Sequence, residues 1–232
     1  MPLSLDLETA PELYRILSAE ERERAERAVV EDERRRRIAA PGRLRLLLGR
    51  YLGWDPAELR FRNGPKGKPY LEGEPPVLQF NLAHSGELAL AAVHPELEVG
   101  VDVERRRRGI AAGGIAEKFF SPAEAAGLRG LEGAEREEEF YRIWTAKEAF
   151  VKAQGAGLEF GLQRFTVAVG ERFEVVEIAG DREEAQRWTL WRVEPEPGYT
   201  GAVAIRARGL KLRCFEWPQE WESGAAGGGR VA

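Results

Sequence analysis

The stretch Val99-Gly100-Val101-Asp102-Val103-Glu104 alternates apolar residues with glycine and then with two acids. β-Branched residues at every second position favour an extended strand, in which alternate side chains share a face. Asp102 and Glu104 then project together, roughly 7 Å apart along the backbone, while Val99, Val101 and Val103 turn to a core. Two carboxylates on so apolar a strand repel unless something positive sits between them. Magnesium, a hard cation satisfied by carboxylates, waters and phosphate oxygens, is one answer. An edge strand whose acidic face is simply wet is the other.

Downstream, Phe140 through Trp144-Thr145-Ala146-Lys147-Glu148-Ala149-Phe150-Val151-Lys152 lies in an amphipathic run, Glu135 to Gln154, that ends at Gly155-Ala156-Gly157. The pattern predicts one long helix. Trp144, Glu148 and Lys152 recur every four residues and line one stripe, with Lys147 beside it. Glu148 ahead of Lys152 is also the order that merely steadies a helix, by about 0.3–0.5 kcal/mol. Composition favours chemistry. Of 35 cations only six are lysines, and of 39 acids only five are aspartates. Two of those six lysines fall in this helix. A lysine is a movable point charge suited to phosphate, whereas arginine prefers a bidentate grip. A third carboxylate from the helix would complete an oxygen-rich Mg²⁺ site for a phosphate ester.

Upstream, Val77–Ala83 and Leu88–Val93 alternate as strands, joined by His84-Ser85-Gly86-Glu87. The hydroxyl and backbone N–H groups of such a tight connection can bind phosphate. His84 is one of two histidines, and a structural role for it stays open. Lys68 sits in the turn-rich loop Gly64–Pro69. Residues 10–52 read as helical, with a capping box at Ser18/Glu21, and the Glu- and Arg-rich stretch 20–37 reads as a solvated face laced by i,i+4 pairs. Past the Glu98–Glu104 strand, a polar linker over 105–114 marks a boundary between halves. Ser121-Pro122 starts a helix, Phe165–Phe215 turns β-like, and the glycine-rich 222–232 reads as a disordered tail.

The chain has 232 residues, 43% of them apolar, enough to bury roughly 70% of its unfolded surface without staples. The lone Cys214 has no partner within the chain for a bridge. No run of about 18 apolar residues predicts a membrane span, and no basic-then-apolar leader opens the sequence, so the expected location is cytoplasmic. A formal net charge of -4 argues against a general nucleic-acid binder. With no P-loop, dinucleotide fingerprint or nucleophile elbow, the residues suggest direct phosphoryl-type transfer without a covalent enzyme intermediate.

Gly100–Glu104, Trp144–Lys152, Phe80-Asn81-Leu82-Ala83-His84-Ser85-Gly86 and Gly67-Lys68-Pro69 together resemble the 4′-phosphopantetheinyl transferases. The match is to the long, single-chain branch that activates peptide and polyketide synthetases, and it runs from about Leu13 to Ile205. The resemblance implies an α+β fold of two similar α/β halves related by a pseudo-twofold. It places these at 1–105 and 106–217, with a tail over 218–232. It implies transfer of phosphopantetheine from coenzyme A to a serine of an apo acyl or peptidyl carrier protein, releasing adenosine 3′,5′-bisphosphate. Asp102, Glu104 and Glu148 would hold Mg²⁺, Glu148 would act as base, and Lys152 would neutralise the pyrophosphate. His84 would meet the 3′-phosphate, with Lys68, Ser85 and Arg36 as further coenzyme A contacts and Lys147 in support. Ala83 stands where many relatives carry a serine that also reaches the 3′-phosphate, and Arg24 is the nearest match to their early lysines. A monomer is expected, with neither nucleic acid nor membrane as partner. Phe119, Phe120 and Arg105–Arg108 are candidates for the carrier-docking patch. Two other classes compete with this reading: a non-catalytic binder of coenzyme A or carrier, against which the intact carboxylates and Lys152 count, and an RNA binder, against which the interleaved glutamates count.

Overall fold

The computed structural model describes residues 1–5, 9–73, 78–155, 157, 160–218 and 221. By contact the chain forms two compact units, one of residues 1–61, 87–89 and 214–232, the other of 62–86 and 90–213.

In the first unit the helical stretch is three helices, α1 (Thr9–Ile16), α2 (Ala19–Glu26) and α3 (Glu31–Leu52). Ser18 caps α2 through the expected box with Glu21. α1 and α2 both pack on α3. Exposed i,i+4 pairs such as Arg27–Glu23 and Arg37–Glu33 lace this segment as expected. Arg45, further along α3, is instead buried and donates to Glu21 and to the carbonyls of Pro56 and Leu59. The guanidinium of Arg50 stacks over Trp221. Apart from Pro218 and Trp221, the expected tail lies outside the described residues.

Along the rest of the chain come β1 (Phe61–Asn63), β2 (Pro69–Leu71), β3 (Gln79–Ser85), β4 (Leu88–His94), β5 (Val99–Arg105), α4 (Ala112–Phe119), α5 (Pro122–Arg129), α6 (Gly133–Gln154), β6 (Phe165–Val169), β7 (Phe173–Ile178), α7 (Arg182–Ala185), β8 (Thr189–Val193) and β9 (Tyr199–Ile205). The architecture is mixed α and β. An antiparallel sheet runs β5-β9-β8, with Asp102 opposite Ala202, and β6 and β7 form a separate antiparallel pair. α6 lies across β5 and β9, its apolar face resting in a core where Phe150 meets Phe165 and Trp188, each at a centroid distance of 4.4 Å. Gly155, at φ 62°, ends the helix in the left-handed region that glycine tolerates.

Helix and strand approach closely because of Gly100. A Cβ there would lie 2.0 Å from the Ala149 carbonyl oxygen and 2.3 Å from the Ala153 nitrogen. Backbone therefore meets backbone, and no side chain fits between. On its other edge β5 runs beside β3, and here side chains satisfy its backbone. Lys68 donates to Val99 O (3.0 Å), Asn81 Oδ1 accepts from Val101 N (2.9 Å) and Ser85 Oγ accepts from Arg105 N (3.1 Å).

Several expectations change. β3 runs through Ser85, so His84 and Ser85 belong to a strand and only Gly86 and Glu87 make the turn. β5 is buried on both faces from Val99 to Val103; on its acidic face Asp102 is covered while Glu104 is half-buried, so the wet-edge reading fails at Asp102. α4 begins at Ala112, inside the expected linker. The β-rich segment is interrupted by α7 and ends at Ile205, with no strand beyond it among the described residues. Among the described residues no helix is long and apolar enough to cross a membrane.

Candidate active site

Gly100, Asp102 and Glu104 alternate along β5, and α6 brings Glu148 and Lys152 to that strand. Lys152 Nζ donates to Asp102 Oδ1 at 2.6 Å. Asp102 Oδ2, also buried, has no hydrogen-bond partner. Burial pushes the Asp102 carboxyl up to about 7, against the downward pull of Lys152, with Glu104 and Glu148 adding to the rise. Glu148 is half-buried, and its carboxyl is raised by burial and by Glu104 and lowered by Lys152. Three carboxylates thus feel one another while Lys152 is the cation acting on both Asp102 and Glu148. Among the described residues they are not drawn into a closed metal-ligand set. The local chemistry is that of partly desolvated carboxylates beside one ammonium, Lys152, held on Asp102.

The remaining expected residues divide. Ser85 Oγ donates to Glu104 Oε2 at 2.7 Å while accepting from Arg105 N, so its hydroxyl orients a carboxylate of the site. His84, its neighbour on β3, is exposed. Lys68 is buried, paired with Glu98 and bonded to Val99 O, and its ammonium lies 5.8 Å from the Tyr70 ring centroid. Arg36 belongs to the first unit, where it pairs with Glu33 and Glu87.

Lys147 corrects the sequence reading most clearly. It does not flank the Trp144–Glu148–Lys152 stripe but points into the core with its side chain fully buried. There it donates to Glu124 Oε2 (2.8 Å), Leu162 O (2.9 Å) and Phe165 O (2.5 Å). Burial lowers its pKa, and Glu124 acts in the opposite sense. Phe120, a docking candidate, is likewise core, whereas Phe119 is exposed and edge-on to Trp144.

Three contributors escaped the sequence reading: Gly100 as the contact point for α6, Asn81 on the β5 edge, and Glu124 beneath α6. Glu124 had a visible signal, since it stands three residues after the cap Ser121 and completes a capping box with it. Asn81 had none beyond its place in the β3 pattern.

Two family models match the chain: the 4′-phosphopantetheinyl transferase superfamily over residues 98–204 and the 4′-phosphopantetheinyl transferase N-terminal model over residues 7–96. The chain is 34% identical over 225 residues to the 4′-phosphopantetheinyl transferase HetI of Nostoc sp., covering 94% of this chain and 90% of that one. It is 31% identical over 205 residues to a phosphopantetheinyl transferase of Thraustochytrium sp., covering 82% and 71%. It is 29% identical over 188 residues to the 4′-phosphopantetheinyl transferase Sfp of Bacillus subtilis, covering 81% of each. Among solved structures, the holo-[acyl-carrier-protein] synthase of Thermotoga maritima aligns with 48% of this chain and 63% of its own at 19% identity and a TM-score of 0.37, a likeness too partial to add weight. The chain belongs to the 4′-phosphopantetheinyl transferase superfamily and to its long, single-chain type. It is an enzyme of that class, transferring phosphopantetheine to carrier proteins.

Proposed function

We propose that the donor is coenzyme A, that the acceptor is a serine hydroxyl of an apo acyl or peptidyl carrier protein, and that adenosine 3′,5′-bisphosphate is released. The observation that carries this reading is Asp102: a buried carboxylate with Lys152 on one oxygen and no partner on the other. A buried acceptor left unpaired is costly unless a ligand meets it, and the neighbouring Glu104 and Glu148 offer further carboxylate oxygens, the chemistry magnesium selects. Asp102, Glu104 and Glu148 would hold Mg²⁺, whose charge would offset that of the pyrophosphate and its leaving group.

The chain's own residues supply the rest. Glu148 takes the proton of the serine hydroxyl, directly or through a water, and its burial raises proton affinity in the direction a base needs near neutral pH. The serine oxygen bonds to the phosphorus that carries pantetheine as the bond from that phosphorus to the bridging oxygen breaks. The electron pair leaves with adenosine 3′,5′-bisphosphate, whose growing charge Lys152 neutralises by moving from Asp102 to the phosphate. His84, exposed on β3, takes the 3′-phosphate. Lys68 meets coenzyme A by exchanging Glu98 for a phosphate oxygen, and Ser85 completes the grip.

The same reading makes 1–105 and 106–217 two pseudo-repeat halves, and makes the enzyme a cytoplasmic monomer without nucleic-acid or membrane partners. Its test is mass spectrometry of several apo carriers incubated with the enzyme, coenzyme A and Mg²⁺. Gain of one phosphopantetheine, lost with a chelator, is expected; no gain on any carrier refutes it.

A further inference from the structure

We propose that Lys147 and Glu124 are a buried positioning pair that fixes the rotation of α6 about its axis and thereby aims Glu148 and Lys152 at β5. The inference rests on the roles proposed above for those two residues. Successive helical side chains diverge by about 100°, so anchoring Lys147 sets the direction of Glu148 one residue on.

The anchor is complete. The three N–H donors of Lys147 meet Glu124 Oε2 at 2.8 Å, Leu162 O at 2.9 Å and Phe165 O at 2.5 Å. The ammonium also lies 4.0 Å from the Phe165 ring centroid. Glu124 is itself held on both oxygens: Oε1 accepts from Val167 N at 2.7 Å and Oε2 from Ser121 N at 2.8 Å. One ion pair therefore ties the middle of α6 to the start of α5, to the turn before β6 and to β6 itself.

Direction, more than stability, is what such a pair contributes. A buried ion pair can often be replaced by apolar residues with little loss of stability, because desolvation offsets much of its attraction. Hydrogen bonds to fixed acceptors impose an orientation that apolar contact lacks. On the side facing β5, α6 presents the backbone of Ala149 and Ala153 over Gly100, a contact that sets how closely helix and strand approach. The rarity of lysine in this chain then has two explanations within one helix: Lys152 is a charge that moves, and Lys147 is one that must not.

The test uses the full chain with Lys147→Met, Glu124→Gln and the double variant, measuring carrier modification per folded molecule and coenzyme A affinity by calorimetry without carrier. Each single variant is expected to lower kcat by on the order of 10²-fold, the cost of a displaced catalytic group, while coenzyme A Kd changes by less than about threefold. The double variant should be no worse than the worse single, because the two residues act as one unit. Should Lys147→Met fail to fold, Glu124→Gln, which keeps one of its two acceptor oxygens, decides by the same kcat and Kd criteria. Unchanged kcat in the folded variants, independent multiplicative losses, or a Kd raised about tenfold by Lys147→Met alone would overturn the inference, the last by making Lys147 a phosphate ligand. Wild-type enzyme that modifies no carrier would instead sink the proposed function.

Discussion

Replacing Asp102 by asparagine should strengthen the fold while removing the activity. Burial raises the carboxyl from 3.8 to about 7, so the native state keeps a proton that the unfolded chain releases at lower pH. Where the native state binds more protons, stability falls as pH rises. The loss from this one group begins near the unfolded value and is complete above the folded one. At 1.36 kcal/mol per unit the full shift amounts to about 4 kcal/mol, an upper figure. The asparagine side chain keeps the shape, carries no charge, and leaves Lys152 half-exposed to water. Retention of only a quarter of that figure, about 1 kcal/mol, would raise Tm by about 2–4 °C in a chain of this size. Thermal and urea unfolding of wild type and Asp102→Asn at pH 5 and pH 8 make the comparison, and the difference between the two proteins cancels the titrating groups that do not interact with Asp102, leaving Asp102 with its neighbours Glu104, Glu148 and Lys152. The variant's advantage should grow from pH 5 to pH 8. Added Mg²⁺ should stabilise the wild type and not the variant, since a ligand that binds only the native state raises its stability. An advantage that does not change with pH would refute the electrostatic account of Asp102.

Three further outcomes are expected. Gly100→Ala would drive a methyl into the backbone of α6 and should destabilise the protein by about 1–3 kcal/mol or more, with turnover falling further than the folded fraction; urea titration with activity assays reads both. Glu148→Gln should abolish carrier modification while calorimetry still detects coenzyme A, and near-normal turnover would remove the base from the mechanism. His84→Ala should weaken coenzyme A more than 3′-dephospho-coenzyme A, and equal losses would withdraw the 3′-phosphate assignment.

Local signals in the sequence were enough to locate β5 and α6. Alternation over 99–104 and four-residue spacing over 144–152 are written into neighbouring residues, as are the caps at Ser18 and Ser121. What alternation could not convey is which faces are covered. Asp102 reads as one face of an amphipathic strand, yet α6 lies over that face, and its Lys152 stands 50 residues further along the chain. Lys147 and Lys152 look alike as rare lysines on one helix. Their opposite fates depend on where β6 and α5 fall, which the helix pattern does not contain. Lys68 and Ser85 were legible as polar groups near the phosphate-binding region, but their bonds to Val99, Glu104 and Arg105 depend on β3 lying beside β5.

That seam between β3 and β5 bears on solubility as well as on catalysis. An edge strand with a run of unsatisfied N–H and C=O groups is a template on which another chain can add a strand. Along β5 the outward groups of Val99, Val101 and Arg105 are taken in turn by Lys68, Asn81 and Ser85. A strand this rich in valine would otherwise invite self-association, and its polar neighbours deny a foreign backbone any continuous ladder to join.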